Sequence, residues 1–186
     1  MKPKYKLFLI FVFIFALLFQ PGLQADKATT STNEARPADW AVKMERDGLP
    51  NLHKVSDALY RGAQPQKKGF AELKKMGIKT IVNMRSSKKY KKQIKASGIN
   101  YIHIKVRTWK PKKKDFQRFL DIVTDPKNQP VFLHCKHGAD RTGTASALYR
   151  IKVQKWDVEK AIEEMEKGGY NFHSYFTNLK PFIRSF

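Results

Sequence analysis

The sequence predicts a single α/β domain over residues 51–186, with a small, mainly parallel sheet of about four or five strands flanked by helices. Three observations carry this. Strand-type and helix-type apolar patterns alternate along the chain. The span is long enough for one hydrophobic core and no second. A short apolar run at 131–134 leads at once into a glycine-containing loop and a helical pattern, the order found where open α/β sheets place their ligands.

The elements follow in chain order. Residues 52–55 and 58–61 flank Ser56-Asp57 and read as a hairpin. Phe70, Leu73 and Met76 predict a helix stopped by Gly77. Residues 78–84 read as a strand, and so do residues 101–106, where Ile102, Ile104 and Val106 alternate with polar neighbours. Phe116, Phe119, Leu120 and Val123 fall at i, i+3, i+4 and i+7, an amphipathic helix that must end before Pro126. Val131, Phe132, Leu133 and His134 read as a buried strand, followed by a helix over 142–154 with Ala147, Leu148 and Ile151 on one face. Val158, Ala161, Ile162 and Met165 repeat the helical spacing up to Gly168-Gly169, and Phe172, Phe176, Leu179 and Ile183 predict a last helix. Residues 40–50 suggest a short turn of helix on the domain edge.

Chemistry concentrates in residues 134–143, His-Cys-Lys-His-Gly-Ala-Asp-Arg-Thr-Gly, which hold the sole cysteine of the chain. Strand, tight loop and helix start aim successive backbone N–H groups and the positive helix end at one point, which suits a dianion and the thiolate of Cys135. Lys136, His137, Gly138, Ala139, Asp140 and Arg141 form the expected phosphate cradle, and Arg141 offers a planar fork to two phosphate oxygens. A cysteine after an apolar strand is otherwise a small core residue. The full decapeptide outweighs that reading. The five histidines show no ligand spacing with carboxylates, so neither metal nor cofactor is expected.

The decapeptide resembles the H-C-x5-R-[ST]-G signature of the protein tyrosine phosphatase superfamily in its dual-specificity branch. Residues 59–65 (Leu-Tyr-Arg-Gly-Ala-Gln-Pro) and 77–83 (Gly-Ile-Lys-Thr-Ile-Val-Asn) are similar to periplasmic bacterial phosphatases and to plant and fungal atypical dual-specificity enzymes. The resemblance spans residues 51–186. It implies a cysteine phosphatase fold and hydrolysis of phosphate monoesters through a phosphocysteine on Cys135. Arg141 and the loop N–H groups would hold the equatorial oxygens, Thr142 would steady the sulfur, and His134 would orient the loop through a backbone contact. Most relatives carry a general-acid Asp before the helix that precedes the catalytic strand, where this chain has Asp115 alone among residues 109–115; some lipid-directed relatives instead have an acid at the position of Asp140. The expectation here is Asp140, with Asp115 as rival. Bland alternatives are a loop hydrogen bond or salt bridge for Asp140 and a favourable helix-dipole position for Asp115. Two other classes compete with a phosphatase: a phosphate-binding module without turnover, and a rhodanese-like sulfurtransferase, against which Thr142-Gly143 speaks.

Lys2, Lys4 and Lys6, an uncharged run over 7–19, Pro21-Gly22 and a small residue at Ala25 form the pattern of a secretory signal peptide over residues 1–25. Export to the periplasm is expected, with an uncleaved membrane anchor as alternative. Residues 26–50 read as a flexible lead. A single cysteine in an oxidising compartment points to a reactive thiol. Without the leader lysines, 34 Lys and Arg face 16 Asp and Glu, a net charge of +18. Lys88, Lys89, Lys91, Lys92 and Lys95 form one run, and Lys105, Arg107, Lys110, Lys112, Lys113 and Lys114 another. Such runs are a solvated face, a funnel for polyanionic substrate, or an attachment to anionic membrane. The expected partner is a phosphorylated protein or another polyanionic phosphate; nucleic acid is not expected, and a monomer is. Phosphoprotein ranks ahead of inositol polyphosphate or phosphoinositide as substrate.

Overall fold

The computed structural model describes residues 36–87, 94 and 96–186. The leader and the first lysine run lie outside them. The alternating patterns resolve into six strands, β1 (Val42–Lys43), β2 (His53–Lys54), β3 (Leu59–Gly62), β4 (Thr80–Asn83), β5 (Asn100–His103) and β6 (Val131–His134). Five α-helices are described from end to end: α1 (Gly69–Lys75), α2 (Lys113–Thr124), α3 (Asp140–Lys152), α4 (Val158–Lys167) and α5 (Leu179–Arg184). The strands form one sheet in the order β1-β2-β3-β6-β4-β5.

β6 pairs in parallel with β3 on one side and β4 on the other, and β5 extends the parallel part beyond β4. A strand so placed is covered on both faces, which is why 131–134 is one continuous buried run, without alternation. Register then fixes the site. Gly62, His134 and Asn83 stand level across the three strands, so the loop after β6 leaves the sheet over that row. The helices seal the faces: Phe116, Phe119, Leu120 and Val123 of α2 are all buried, as are Ala161, Ile162 and Met165 of α4. Asp157 starts α4 by accepting from the N–H groups of Glu159 and Lys160, a side-chain cap.

Several expectations are corrected. Residues 40–50 form no helix; β1 pairs antiparallel with β2 instead and brings the strand count to six. The flexible lead does not run to Pro50. Trp40, Ala41 and Leu49 are buried, and Arg36 donates to the carbonyls of Gly168 and Ala41, so the segment from Arg36 onward belongs to the domain. The helix after the loop starts at Asp140, two residues before Thr142, and is buried nearly all round from Thr142 to Arg150, since it lies between the sheet and α4. Phe172 and Phe176 fall outside the last helix. Asn171 turns the chain with φ of 60°, and His173 binds Asp140 through backbone and ring, so tertiary contacts override the helical spacing.

The core also holds polar residues with definite partners. The Arg150 guanidinium donates to both oxygens of Glu164 at 2.7 and 2.8 Å, and Glu164 accepts further from the Ala41 N–H and the Tyr170 hydroxyl. Burial pushes the Glu164 carboxyl up, but these bonds and the Arg150 charge overcome it and hold the carboxyl below its usual range. His53 and His134 are buried, and desolvation lowers both from 6.5 to about 4. Their folded values lie below the unfolded one, so the unfolded chain takes up protons first as pH falls. Stability should therefore be full above about pH 6.5 and decline progressively towards about pH 4. Thermal melts across this range check it; a midpoint that stays level down to about pH 4 would contradict the burial of two neutral imidazoles.

Candidate active site

Cys135 follows β6 directly and is 1% exposed. The loop behind it is shaped by four donors. The carbonyl of Cys135 accepts from Nδ1 of His134 at 3.0 Å, and that of Lys136 from the Gln64 N–H at 3.2 Å. The carbonyl of His137 accepts from Asn51 Nδ2 at 2.9 Å, and that of Gly138 from Arg61 Nη2 at 2.7 Å. A trans peptide carries its N–H opposite its C=O. Four carbonyls tied to the scaffold therefore turn the N–H groups of Lys136, His137, Gly138 and Ala139 away from it, into a nest that suits an oxyanion. The free N–H groups of the first turn of α3 add the positive helix end; the Gly143 N–H is the first to bond back, to Ala139.

Each scaffold donor has its own reason to be in place. A carbonyl can only accept, so Nδ1 of His134 carries its proton, and burial keeps the ring neutral in that state. Asn51 sits at φ of 55°, a conformation Asn tolerates, and donates also to the Tyr170 carbonyl. Arg61 is 1% exposed, with its guanidinium 3.6 Å from the centre of the Tyr170 ring. Desolvation lowers its pKa, opposed by Tyr170 and Glu164. Burial pushes the Tyr170 hydroxyl up to about 12, so Tyr170 stays a neutral donor to Glu164. Gly138 has φ of 75° and packs on β3 so closely that a Cβ there would lie 2.6 Å from the Gly62 carbonyl carbon.

The sequence-predicted residues are distributed as follows. Gly138, Ala139, Asp140 and Thr142 are buried; Lys136 and His137 point outward at the rim. Arg141 is half-buried, with Nη1 3.5 Å from the Met84 carbonyl and a buried Nε that has no partner among the described residues. The hydroxyl of Thr142 is equally without a partner there, so the expected bond to the Cys135 sulfur is not formed in this structure. Both oxygens of Asp140 face His173, whose backbone N–H donates to Oδ1 at 3.0 Å and whose Nδ1 lies 2.9 and 3.0 Å from Oδ1 and Oδ2. The loop hydrogen bond that rivalled a proton-donor role is therefore present. Asp115 sits in the first turn of α2 and lines a hollow of about 350 Å³ with Lys105, Arg107, Lys110, Lys112 and Lys114.

Sequence reasoning missed Asn51, Tyr170 and His173 as parts of the site. Arg61 was visible as a charge inside an otherwise apolar strand, a pattern that signals a partnered buried cation. His173 had no such signal, being 33 residues from Asp140 and outside any periodic element. Among the described residues no group of His, Cys, Asp and Glu could hold a metal.

The geometry defines a class: a cysteine at the floor of an oxyanion nest between strand and helix. Comparison gives the family. A family described as "DSP-PTPase phosphatase fused to NAD+ Kinase" matches residues 35–179, and the chain belongs to this dual-specificity phosphatase family. The dual specificity protein phosphatase TpbA of Pseudomonas aeruginosa is 30% identical over 159 residues, 82% of this chain and 69% of that protein. An inositol diphosphatase of Arabidopsis thaliana, DSP5, is 29% identical over 126 residues, 63% of this chain and 61% of its own length. The crystal structure of P. aeruginosa TpbA superposes with a TM-score of 0.73 at 28% identity, covering 81% of this chain and 92% of that one. The chain is thus an enzyme of the dual-specificity phosphatase class, and the sulfurtransferase alternative is set aside.

The nest predicts a sharp local requirement. Gly138→Ala combines an unfavourable φ, about 1–3 kcal/mol of strain, with overlap on the backbone of Gly62 and Ala63. The variant should keep its far-UV spectrum and lose phosphatase activity by about a hundredfold or more, since a misplaced nest misses the transition-state charge. Activity within about threefold of the parent would show that the loop does not need this conformation.

Proposed function

We propose that this enzyme hydrolyses phosphate monoesters through a phosphocysteine on Cys135, and that its substrate is phosphotyrosine on proteins. The observation that carries the chemistry is the nest: four N–H groups turned inward by four bound carbonyls, with the only cysteine beneath them. The Cys135 thiolate attacks phosphorus in line, and the S–P bond forms as the ester P–O bond breaks. The loop N–H groups and the Arg141 fork hold the three equatorial oxygens as charge spreads over them. Water then attacks the phosphocysteine, the S–P bond breaks, and phosphate leaves. The buried Thr142 hydroxyl has no competing partner among the described residues, which leaves it available to the departing thiolate.

The substrate class is supported by an aromatic wall at the end of the loop. His173 lies 5.6 Å from His137, 5.3 Å from Tyr175 and 6.3 Å from Phe176, ring centre to ring centre. Tyr175 is 69% exposed, unusual for so large an aromatic and suited to flank a phenyl ring. P. aeruginosa TpbA, in a cysteine-to-serine variant, has a crystal structure in complex with phosphotyrosine. A second reading has its own observation. The hollow lined by Lys105, Arg107, Lys110, Lys112 and Lys114 is suited to additional phosphates, as in an inositol polyphosphate.

One panel separates the readings: phosphate release from phosphotyrosine peptides, phosphoserine peptides and inositol polyphosphates. Phosphotyrosine should lead by about tenfold or more in kcat/KM. Cys135→Ser should release none, and Arg141→Lys should lose about a hundredfold, because a point charge cannot replace the two-pronged fork. Inositol polyphosphate in the lead would transfer the assignment to the second reading. Turnover surviving in Cys135→Ser would overturn the phosphocysteine.

A further inference from the structure

The bonds around Asp140 invert the roles that its place beside Arg141 suggests. Its side chain is 7% exposed, and its two oxygens are occupied by the backbone N–H and the ring Nδ1 of His173. A proton on either oxygen would be shared with Nδ1 and not offered to a bound ester. His173, by contrast, is 31% exposed at its side chain. With Nδ1 committed to the carboxylate, Nε2 is the ring nitrogen left to exchange protons, and the ring stands next to His137 of the phosphate loop.

We propose that His173 is the general acid of this enzyme and that Asp140 is a positioning residue, which fixes the tautomer and the angle of the His173 ring. The inference rests on the phosphocysteine reading above and adds the source of the proton. As Cys135 forms the S–P bond, the ester oxygen leaves with the electron pair of the P–O bond and takes the proton from Nε2 of the imidazolium. The neutral ring then accepts a proton from the attacking water, and the thiolate departs as the S–P bond breaks. Proton, leaving group and electron pairs balance with no further reactant.

The surroundings support this division of labour. The groups that face His173 are Asp140 from α3, His137 from the loop, and Tyr175 and Phe176 from its own segment; Lys136 and Arg141 stand beside them on the loop. His137, the imidazole whose ring faces His173, is held below the usual histidine range by desolvation and the Lys136 ammonium. Asp115 lies instead in the basic hollow, among five cations.

The test compares an alkyl phosphate with an activated nitrophenyl phosphate, since only the poor leaving group needs a proton. His173→Asn can keep a donor to Asp140 through its amide but has no proton to give. It should slow the alkyl ester by about a hundredfold or more, slow the nitrophenyl ester by less than about tenfold, and abolish the basic limb of the pH–rate profile. His173→Gln should repeat the pattern should the first variant fold poorly. Asp140→Asn should slow the alkyl ester by about tenfold and retain a basic limb. A basic limb that survives in His173→Asn and disappears in Asp140→Asn would make Asp140 the acid and overturn the proposal. Equal losses on both esters in His173→Asn would reduce His173 to a structural part and overturn it too. Nitrophenyl turnover by the parent enzyme that persists in Cys135→Ser would instead sink the phosphocysteine reading, and this inference with it.

Discussion

A guanidinium with almost no exposure lies under the phosphate loop, and the site depends on how that charge is compensated. Arg61 reaches Gly138 from β3 because the parallel register sets Arg61 beside Leu133 and Gly62 beside His134. Burying a cation costs several kcal/mol unless it is well paired. Here the compensation is the Gly138 carbonyl at 2.7 Å, the face of Tyr170 at 3.6 Å and the more distant charge of Glu164. The carbonyl that binds Arg61 Nη2, while the buried Nε has no partner among the described residues, is the one whose outward turn aims the next N–H into the nest. Holding the buried guanidinium and shaping the anion site are therefore one geometric event. Gly138 serves the same event, since only a residue without Cβ can come so close to Gly62 at positive φ.

Tyr170 extends this constraint across the molecule. Its ring supports Arg61, its hydroxyl donates to Glu164 and accepts from Arg36, and its carbonyl accepts from Asn51. Glu164 in turn holds Arg150 and the Ala41 N–H. The N-terminal strand pair, α3, α4 and the segment bearing His173 thus converge on residues that touch the loop. A segment tied to Arg61 and Asn51 through Tyr170 and to Asp140 through His173 has little freedom to remain helical, which accounts for the irregular stretch before α5.

The fold was largely legible because its elements follow single periodicities. Phe116 to Val123 and Val158 to Met165 declare helices, and the unbroken run at 131–134 declares a central parallel strand. Cys135, Arg141 and the loop were legible for a different reason: the chemistry needs those residues at fixed short spacing. Legibility ended where a role depends on distant contact. Residues 36–50 looked like a polar lead because their partners, Glu164 and Gly168, lie more than a hundred positions away. Asp140 was legible only as the neighbour of Arg141, because its bonds to His173 join residues 33 positions apart. Phe172 and Phe176 fit a helical stripe whose backbone is diverted by Asn171 and the bonds at His173.

The shape of the oxyanion nest depends on the buried Arg61. Calorimetric binding of tungstate to Cys135→Ser, with and without Arg61→Lys, measures the nest without turnover. Arg61→Lys should weaken binding by about tenfold or more, about 1.4 kcal/mol, with the far-UV spectrum unchanged. Equal affinity in the two proteins, both folded, would contradict it.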